Sequence, residues 1–153
     1  MTSTLLVVHH TVSPATHSMY VAAIEGARDP SIPDVRVVTR AALSASVSDV
    51  LEGDAYLLGS PVNLGYVSGA LKHFFDEIYY PCLEVTRGRP FGLYLHADND
   101  ATGALRAVET ITTGLGWRTA QKPVVVKGRP GPEDLDALRE LGASLAAGLA
   151  LEA

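Results

Sequence analysis

Three stretches of this 153-residue chain hold side chains whose types and spacing could do chemistry. The first, His9-His10-Thr11-Val12-Ser13-Pro14-Ala15-Thr16-His17-Ser18, follows a short apolar run. Ser13 followed by Pro14 reads as an N-cap with proline at the first helical position. Thr11, Ser13, Thr16 and Ser18 then crowd hydroxyls around a helix N-terminus. Its free backbone N–H groups and partial positive charge can hold a phosphate without a cationic side chain. No Lys or Arg lies in this stretch, so phosphate binding there rests on neutral donors. The plainer reading is that Ser13 caps the helix and the remainder is solvated loop. Both readings stand on these residues alone.

The second stretch runs from Gly59 to Asp76 as Gly-Ser-Pro-Val-Asn-Leu-Gly-Tyr-Val-Ser-Gly-Ala-Leu-Lys-His-Phe-Phe-Asp. It packs Gly, Ser, Pro and Asn into a turn ahead of an amphipathic helix. The third, His96-Ala97-Asp98-Asn99-Asp100, sets two carboxylates and an imidazole after another apolar run.

The elements that must position these stretches are short β-branched or apolar runs alternating with segments of helical period. The runs are Leu5 to Val8, Val35 to Thr39, Ala55 to Leu58, Phe91 to Leu95 and Pro123 to Val126. They are continuous rather than alternating, as expected of parallel strands covered on both faces. Between them, Met19, Ala22, Ala23 and Ala27 share one face of a helix over 15–27, and 46–52 holds a short one. Leu71, Phe74, Phe75 and Ile78 mark a third at i, i+3, i+4 and i+7. A fourth carries Leu105, Val108, Ile111 or Thr112, and Leu115, and stops at Gly114 or Gly116. Pro132, Glu133 and Asp134 open the last, whose stripe is Leu135, Leu138, Leu141 or Gly142, Leu145 and Leu149. This alternation predicts a three-layer α/β domain with functional loops after the strand C-termini: after Val8, after Leu58 and after Leu95.

Composition narrows the classes. Hydrophobic residues make up 47% and charged residues 19%, enough apolar content for one well-packed domain over 1–153. A net charge of −5 argues against nucleic acid as a partner. The single cysteine excludes an intrachain disulfide framework. No run approaches ~18 apolar residues, and Met1-Thr-Ser-Thr lacks a basic signal-peptide start. The expectation is a cytoplasmic protein that does not engage membranes.

The stretch Gly59 to Asp76 resembles the flavodoxin-like NAD(P)H-dependent FMN reductases and related flavodoxin-family proteins. Their pattern is Gly-Ser-Pro, an aromatic, a Gly, then Ser-Gly-x-Leu-Lys-x-Phe-x-Asp; Asn63 stands where an aromatic is common. Thr11 to Thr16 likewise resembles the flavodoxin phosphate motif Thr/Ser-x-Thr-Gly-x-Thr. The resemblance spans the chain in element order and length. It implies a five-stranded parallel sheet of order 2-1-3-4-5, for which flavodoxin is the standard case, with FMN at the switch point. The length suits such a unit with no insertion in the last strand.

The resemblance also implies a site. Thr11, Ser13, Pro14, Ala15, Thr16 and His17 would surround the FMN phosphate. Pro61, Val62, Asn63, Leu64 and Gly65 would line one edge of the isoalloxazine, with the Gly65 backbone near flavin N5. His96, Ala97, Asp98 and Asp100 would lie on the other side of the ring. The chain departs from the pattern at Pro14, which has no N–H where glycine is usual. It also lacks a ring-stacking aromatic in the third loop, leaving Tyr66 as the nearest candidate. Asp98 and Asp100 replace Gly-rich backbone and, near the ring, would disfavour an anionic reduced flavin. Asn99 or Asp100 can instead cap the helix that contains Leu105.

The implied function is an FMN-dependent oxidoreductase that moves electrons from NAD(P)H through FMN to a quinone, flavin or similar acceptor. No side chain is singled out as catalytic, because the cofactor carries the redox chemistry. Alternatives are a flavodoxin-type electron carrier that meets a redox partner protein, for which an acidic surface is suited, and a flavin-free interaction module. Leu64, Tyr66, Tyr79 and Tyr80 would form an apolar edge for a homodimer. Other constellations are weaker. The five histidines match no zinc spacing, and Gly59-Ser60-Pro61 is not the nucleophile elbow that a Ser60–His96 pair would need. Cys82 has no second cysteine beside it. A phosphoacceptor receiver needs acids at the first and third strand ends, where His9-His10 and Gly59-Ser60 stand. No Gly-x-Gly-x-x-Gly follows the first strand. Arg87-Gly88-Arg89 and Lys127-Gly128-Arg129 read as solvated basic turns, or as contacts for a nicotinamide phosphate.

Overall fold

The runs that are apolar without alternation fold as strands; those of the sheet centre are buried on both faces, whereas the run Val35 to Thr39, expected to be covered likewise, lies at the edge and is not. The computed structural model describes residues 2–152. Strands β1 (Ser3–His9), β2 (Val35–Ala41), β3 (Ala55–Asn63) and β5 (Pro90–Ala97) pair in parallel in the order β2-β1-β3-β5. β4 (Tyr66–Val67) turns back antiparallel on the end of β3. The helices are α1 (Pro14–Ala27), α2 (Val47–Glu52), α3 (Gly69–Cys82), α4 (Thr102–Leu115) and α5 (Pro132–Glu152). None is long and apolar enough to cross a membrane.

The sheet has the expected α/β sandwich order, with one correction at its edge. The last strand comes in two pieces, β6 (Arg118–Thr119) and β7 (Val124–Lys127), both parallel to β5. Phe91 pairs with Thr119 and Tyr94 with Val124, so the edge chain takes five steps where β5 takes three. The two extra residues loop out beside Pro123, which has no N–H to give to the ladder.

Alternate residues of β1 face opposite layers. Leu6 and Val8 pack with the buried faces of α2, α3 and α4, including Val50, Leu71, Phe74, Phe75, Ile78 and Val108. Leu5 and Val7 pack with Met19, Ala22 and Ala23 of α1 and with Leu138, Leu141, Leu145 and Leu149 of α5. α1 and α5 approach so closely that a Cβ on Gly142 would overlap the Ala23 carbonyl and one on Gly26 the Arg139 carbonyl. β2 is the half-exposed outer strand.

Helix ends follow the local chemistry with small shifts. α4 stops at Gly116, whose φ of +74° is left-handed, whereas Gly114 stays helical against the Tyr79 ring. At its start neither Asn99 nor Asp100 is the N-cap; that place falls to Ala101 without a side-chain bond. Asp100 acts one residue earlier. Its Oδ1 accepts from the Thr102 N–H at 3.1 Å and the Thr102 hydroxyl at 2.7 Å.

Candidate functional site

The strand order reverses between β1 and β3, and the C-terminal ends of these strands are where an open α/β sheet makes a crevice. The first loop there is fixed by its own side chains. Ser13 has extended backbone, and its Oγ accepts the Thr16 N–H at 3.1 Å. Thr16 is buried, and its Oγ1 accepts the Val12 and Ser13 N–H groups, each at 3.0 Å. The Ser13 carbonyl takes the His17 N–H at 2.9 Å, and the Gly59 carbonyl takes that of His10 at 3.0 Å. The expected set of free amides is therefore largely occupied: the loop forms a capping box, and its hydroxyls turn inward. The Thr11 hydroxyl is likewise engaged, 2.7 Å from His9 Nδ1. The Ala15 N–H keeps no partner among the described residues.

The second loop is held from below by Ser60. This buried hydroxyl donates to the Pro61 carbonyl at 2.7 Å and accepts the Ser68 N–H at 3.1 Å. Ser68 Oγ in turn accepts the Leu71 N–H at 3.2 Å and caps α3. With both roles internal, Ser60 is no nucleophile, and His96 bonds elsewhere: its Nε2 lies 2.8 Å from the Gly128 carbonyl. Between β3 and β4 the chain reverses through Leu64 and Gly65, at φ +52° and +76°. Positive φ at both central residues matches the right-handed twist of a two-residue hairpin. Leucine is unusual there, and its side chain is fully exposed. The Gly65 carbonyl rests on Gly103 of α4, where any Cβ would overlap it.

The first loop, but not the second, borders an open cavity of about 600 Å³. One wall is the start of α1, with Ser13, Pro14, Ala15 and Ser18. The other walls are His96 and Asp98 after β5, and Gly128, Arg129 and Pro130 after β7. Of the residues expected at a site, Ser13, Pro14, Ala15, His96 and Asp98 thus meet in one cavity. Thr11 and Thr16 lie behind its wall as supports. His17 borders a neighbouring groove between α1 and α5 with Glu25 and Arg139. Pro61 and Ala97 are buried in the sheet ends; Val62 is partly buried, and Asn63, Leu64, Gly65 and Asp100 are exposed outside the cavity lining. Tyr66 faces a different groove with Lys72, Gly103 and Arg106. Of the proposed apolar edge, Leu64, Tyr66 and Tyr80 are exposed, while Tyr79 is partly buried.

Arg129, which the sequence offered either as part of a solvated basic turn or as a contact for a nicotinamide phosphate, lines the same cavity. It enters from a loop more than a hundred residues beyond Ser13, so no local spacing places the two together. His10 is a second candidate. Its Nδ1 is buried without a hydrogen-bond partner among the described residues. His9, stacked on Tyr20 with ring centroids 4.0 Å apart, is held below the usual histidine range by burial and by His10 beside it. Asp100, whose carboxylate accepts both Thr102 donors, is held below the usual carboxylate range by them. Burial pushes the Cys82 thiol up, away from a reactive thiolate.

No family model matches the chain. Over 74 residues, 48% of its length, it is 36% identical to a curated flavodoxin of Aquifex aeolicus (strain VF5), and the match spans 39% of that relative. A solved structure of a flavodoxin, WrbA-like protein from Agrobacterium tumefaciens superposes with a TM-score of 0.79 at 20% identity, covering 99% of each chain. The chain has a flavodoxin-like fold. The flavodiiron protein of Giardia intestinalis superposes over 37% of its chain and 97% of this one, with a TM-score of 0.81 at 17% identity. In this flavodoxin-like chain the cavity lies at the C-terminal edge of the sheet, on the side of α1 and α5.

Proposed function

We propose that this flavodoxin-like chain binds FMN at the C-terminal edge of its sheet and transfers electrons through it. The observation that carries the reading is the cavity itself, which is within the usual size range of small-molecule sites. Its lining fits a flavin nucleotide: the Ala15 amide at the start of α1 and the Arg129 guanidinium suit a phosphate. The exposed Asn63-Leu64-Gly65 turn supports the same reading as an edge for the ring. A leucine held in a left-handed turn and left in water is a local cost, and such costs gather where ligands bind. Bound FMN would supply the redox chemistry; the chain's own residues would bind the phosphate, orient the ring and set its electrostatics.

On this reading the chain would serve as an oxidoreductase between NAD(P)H and a quinone, flavin or similar acceptor, with FMN as the redox group it holds. A flavodoxin-type carrier served by a partner protein is the second reading, favoured by the net charge of −5 and the curated flavodoxin match. Titrating the purified protein with FMN tests both: quenched flavin fluorescence is expected, and a protein that ignores FMN sinks both. Anaerobic bleaching by NADPH or NADH then favours the enzyme, and its absence the carrier. The exposed Leu64, Tyr66 and Tyr80 support pairing of two copies, which sedimentation velocity checks.

A further inference from the structure

We propose that Arg129 is a ligand-binding residue, the cation that holds a phosphate group in the cavity between α1 and the loop that precedes α5. The case begins with what the first loop cannot supply. The Val12, Ser13, Thr16 and His17 amides are bonded within the loop, Pro14 has none, and the Ser18 hydroxyl donates to the Pro14 carbonyl at 3.0 Å. Too few neutral donors remain to balance a phosphate dianion. Arg129 supplies the missing charge from another loop, together with planar N–H donors suited to phosphate oxygens.

Its availability and its place together set it apart: Arg106, also without a partner among the described residues, borders the separate groove beside Tyr66. Arg40, Arg87, Arg118 and Arg139 each lie within 4.0 Å of a carboxylate. Arg89 donates to the Val50, Leu51 and Gly53 carbonyls and to Tyr56, Arg28 to the Val37 carbonyl and Arg36 to Thr4. Among the described residues Arg129 has no such partner, although Asp98 borders the same cavity. The turn that carries it is fixed. The Gly128 N–H donates to the Ala97 carbonyl at 2.9 Å, and the Gly128 carbonyl lies 2.8 Å from His96 Nε2. Beyond it, the Gly131 N–H donates to Asp134 Oδ2 at 2.8 Å. A cation on a pinned turn loses little backbone freedom when it takes an anion. Asp98 across the cavity repels a second anion, which directs the phosphate toward the α1 side.

This inference rests on the flavin-nucleotide reading only for who owns the phosphate: FMN itself, or the dinucleotide cosubstrate NADPH. The test uses Arg129→Gln in the full chain, at low ionic strength, with three ligands. First, if FMN is the owner, FMN affinity falls about five- to tenfold while riboflavin affinity is unchanged, and added salt shrinks the difference. Second, if NADPH is the owner, FMN affinity holds while the NADPH concentration needed for half-maximal bleaching rises by a similar factor and that for NADH does not. Either result supports the proposal. Third, sodium pyrophosphate is titrated against the flavin-free protein by amide NMR, with shifts expected at Ala15 and Gly128 that Arg129→Gln abolishes. If the protein takes up no flavin but shows these Arg129-dependent shifts, the flavin reading falls and the phosphate site stands. Equal loss for FMN and riboflavin, or no change with any ligand, overturns it.

Discussion

Leu64 offers a direct reading of what the site costs the fold. A non-glycine residue in the left-handed region pays roughly 1–2 kcal/mol for the contact between its Cβ and the following carbonyl. Leu64 sits there at φ +52° with its side chain wholly in water, so no burial offsets that strain. Asparagine tolerates this conformation, and Asn-Gly is the preferred pair for a two-residue hairpin. Leu64→Asn is therefore expected to stabilise the chain by about 1 kcal/mol, which in a domain of this size raises Tm by about 2–4 °C. Leu64→Gly should gain less, because the unfolded chain acquires backbone freedom worth roughly 0.5–1 kcal/mol. Leu64→Val, β-branched, should lose stability. Thermal and urea unfolding of the three variants establish the order, with FMN titration alongside. If the leucine serves the ring, the more stable Leu64→Asn variant binds FMN several-fold more weakly. A lower Tm for Leu64→Asn, or a valine variant as stable as the parent, would show that the turn stores no strain and the reasoning fails.

Other perturbations probe the supports. Gly142→Ala drives a Cβ into the Ala23 carbonyl and should cost about 1–3 kcal/mol by forcing α1 and α5 apart, read as a lower urea midpoint. Ser60→Ala leaves the Ser68 N–H without its acceptor; a loss of about 1–3 kcal/mol and faster hydrogen exchange at that amide are expected. Burial pushes the Tyr56 phenol up to about 12 from an ordinary 10.0, with Arg89 beside it pulling the other way. Between those values the unfolded chain gives up its proton while the folded one keeps it. Stability should therefore be intact below about pH 10 and fall as pH rises toward about 12; a flat unfolding free energy across that window would contradict it.

Much of this was legible in the residue pattern, and what was not has identifiable causes. The continuous runs became strands, covered on both faces at the sheet centre though not in β2 at its edge, and the helical stripes of α3 and α5 packed as their spacing required. Ser13 and Pro14 announced the start of α1. The split of the last strand was not legible, since the offset lies in how Thr119 and Val124 register against Phe91 and Tyr94. Nor was the inward turn of Thr16, because spacing cannot tell whether a hydroxyl bonds to its own loop or to a ligand. Arg129 was legible as a possible phosphate contact, but its meeting with the start of α1 was not, because that turn reaches α1 only after the sheet and α5 are in place.

The crossing of α1 on α5 has a consequence for how the cavity receives anything. α1 rises from the Ser13 wall and α5 from the turn just after Arg129 and Pro130. With glycines letting backbone meet backbone, the two helices behave as a single stiff bracket whose spacing is set along their length, away from the opening. The distance between the two walls is thus decided at folding, before a ligand arrives. Capture should then be a one-step encounter, with an observed rate that rises linearly with ligand concentration and no plateau from a closing motion. Little ordering would remain to oppose it, so discrimination between ligands would come from how well each matches a gap of fixed width.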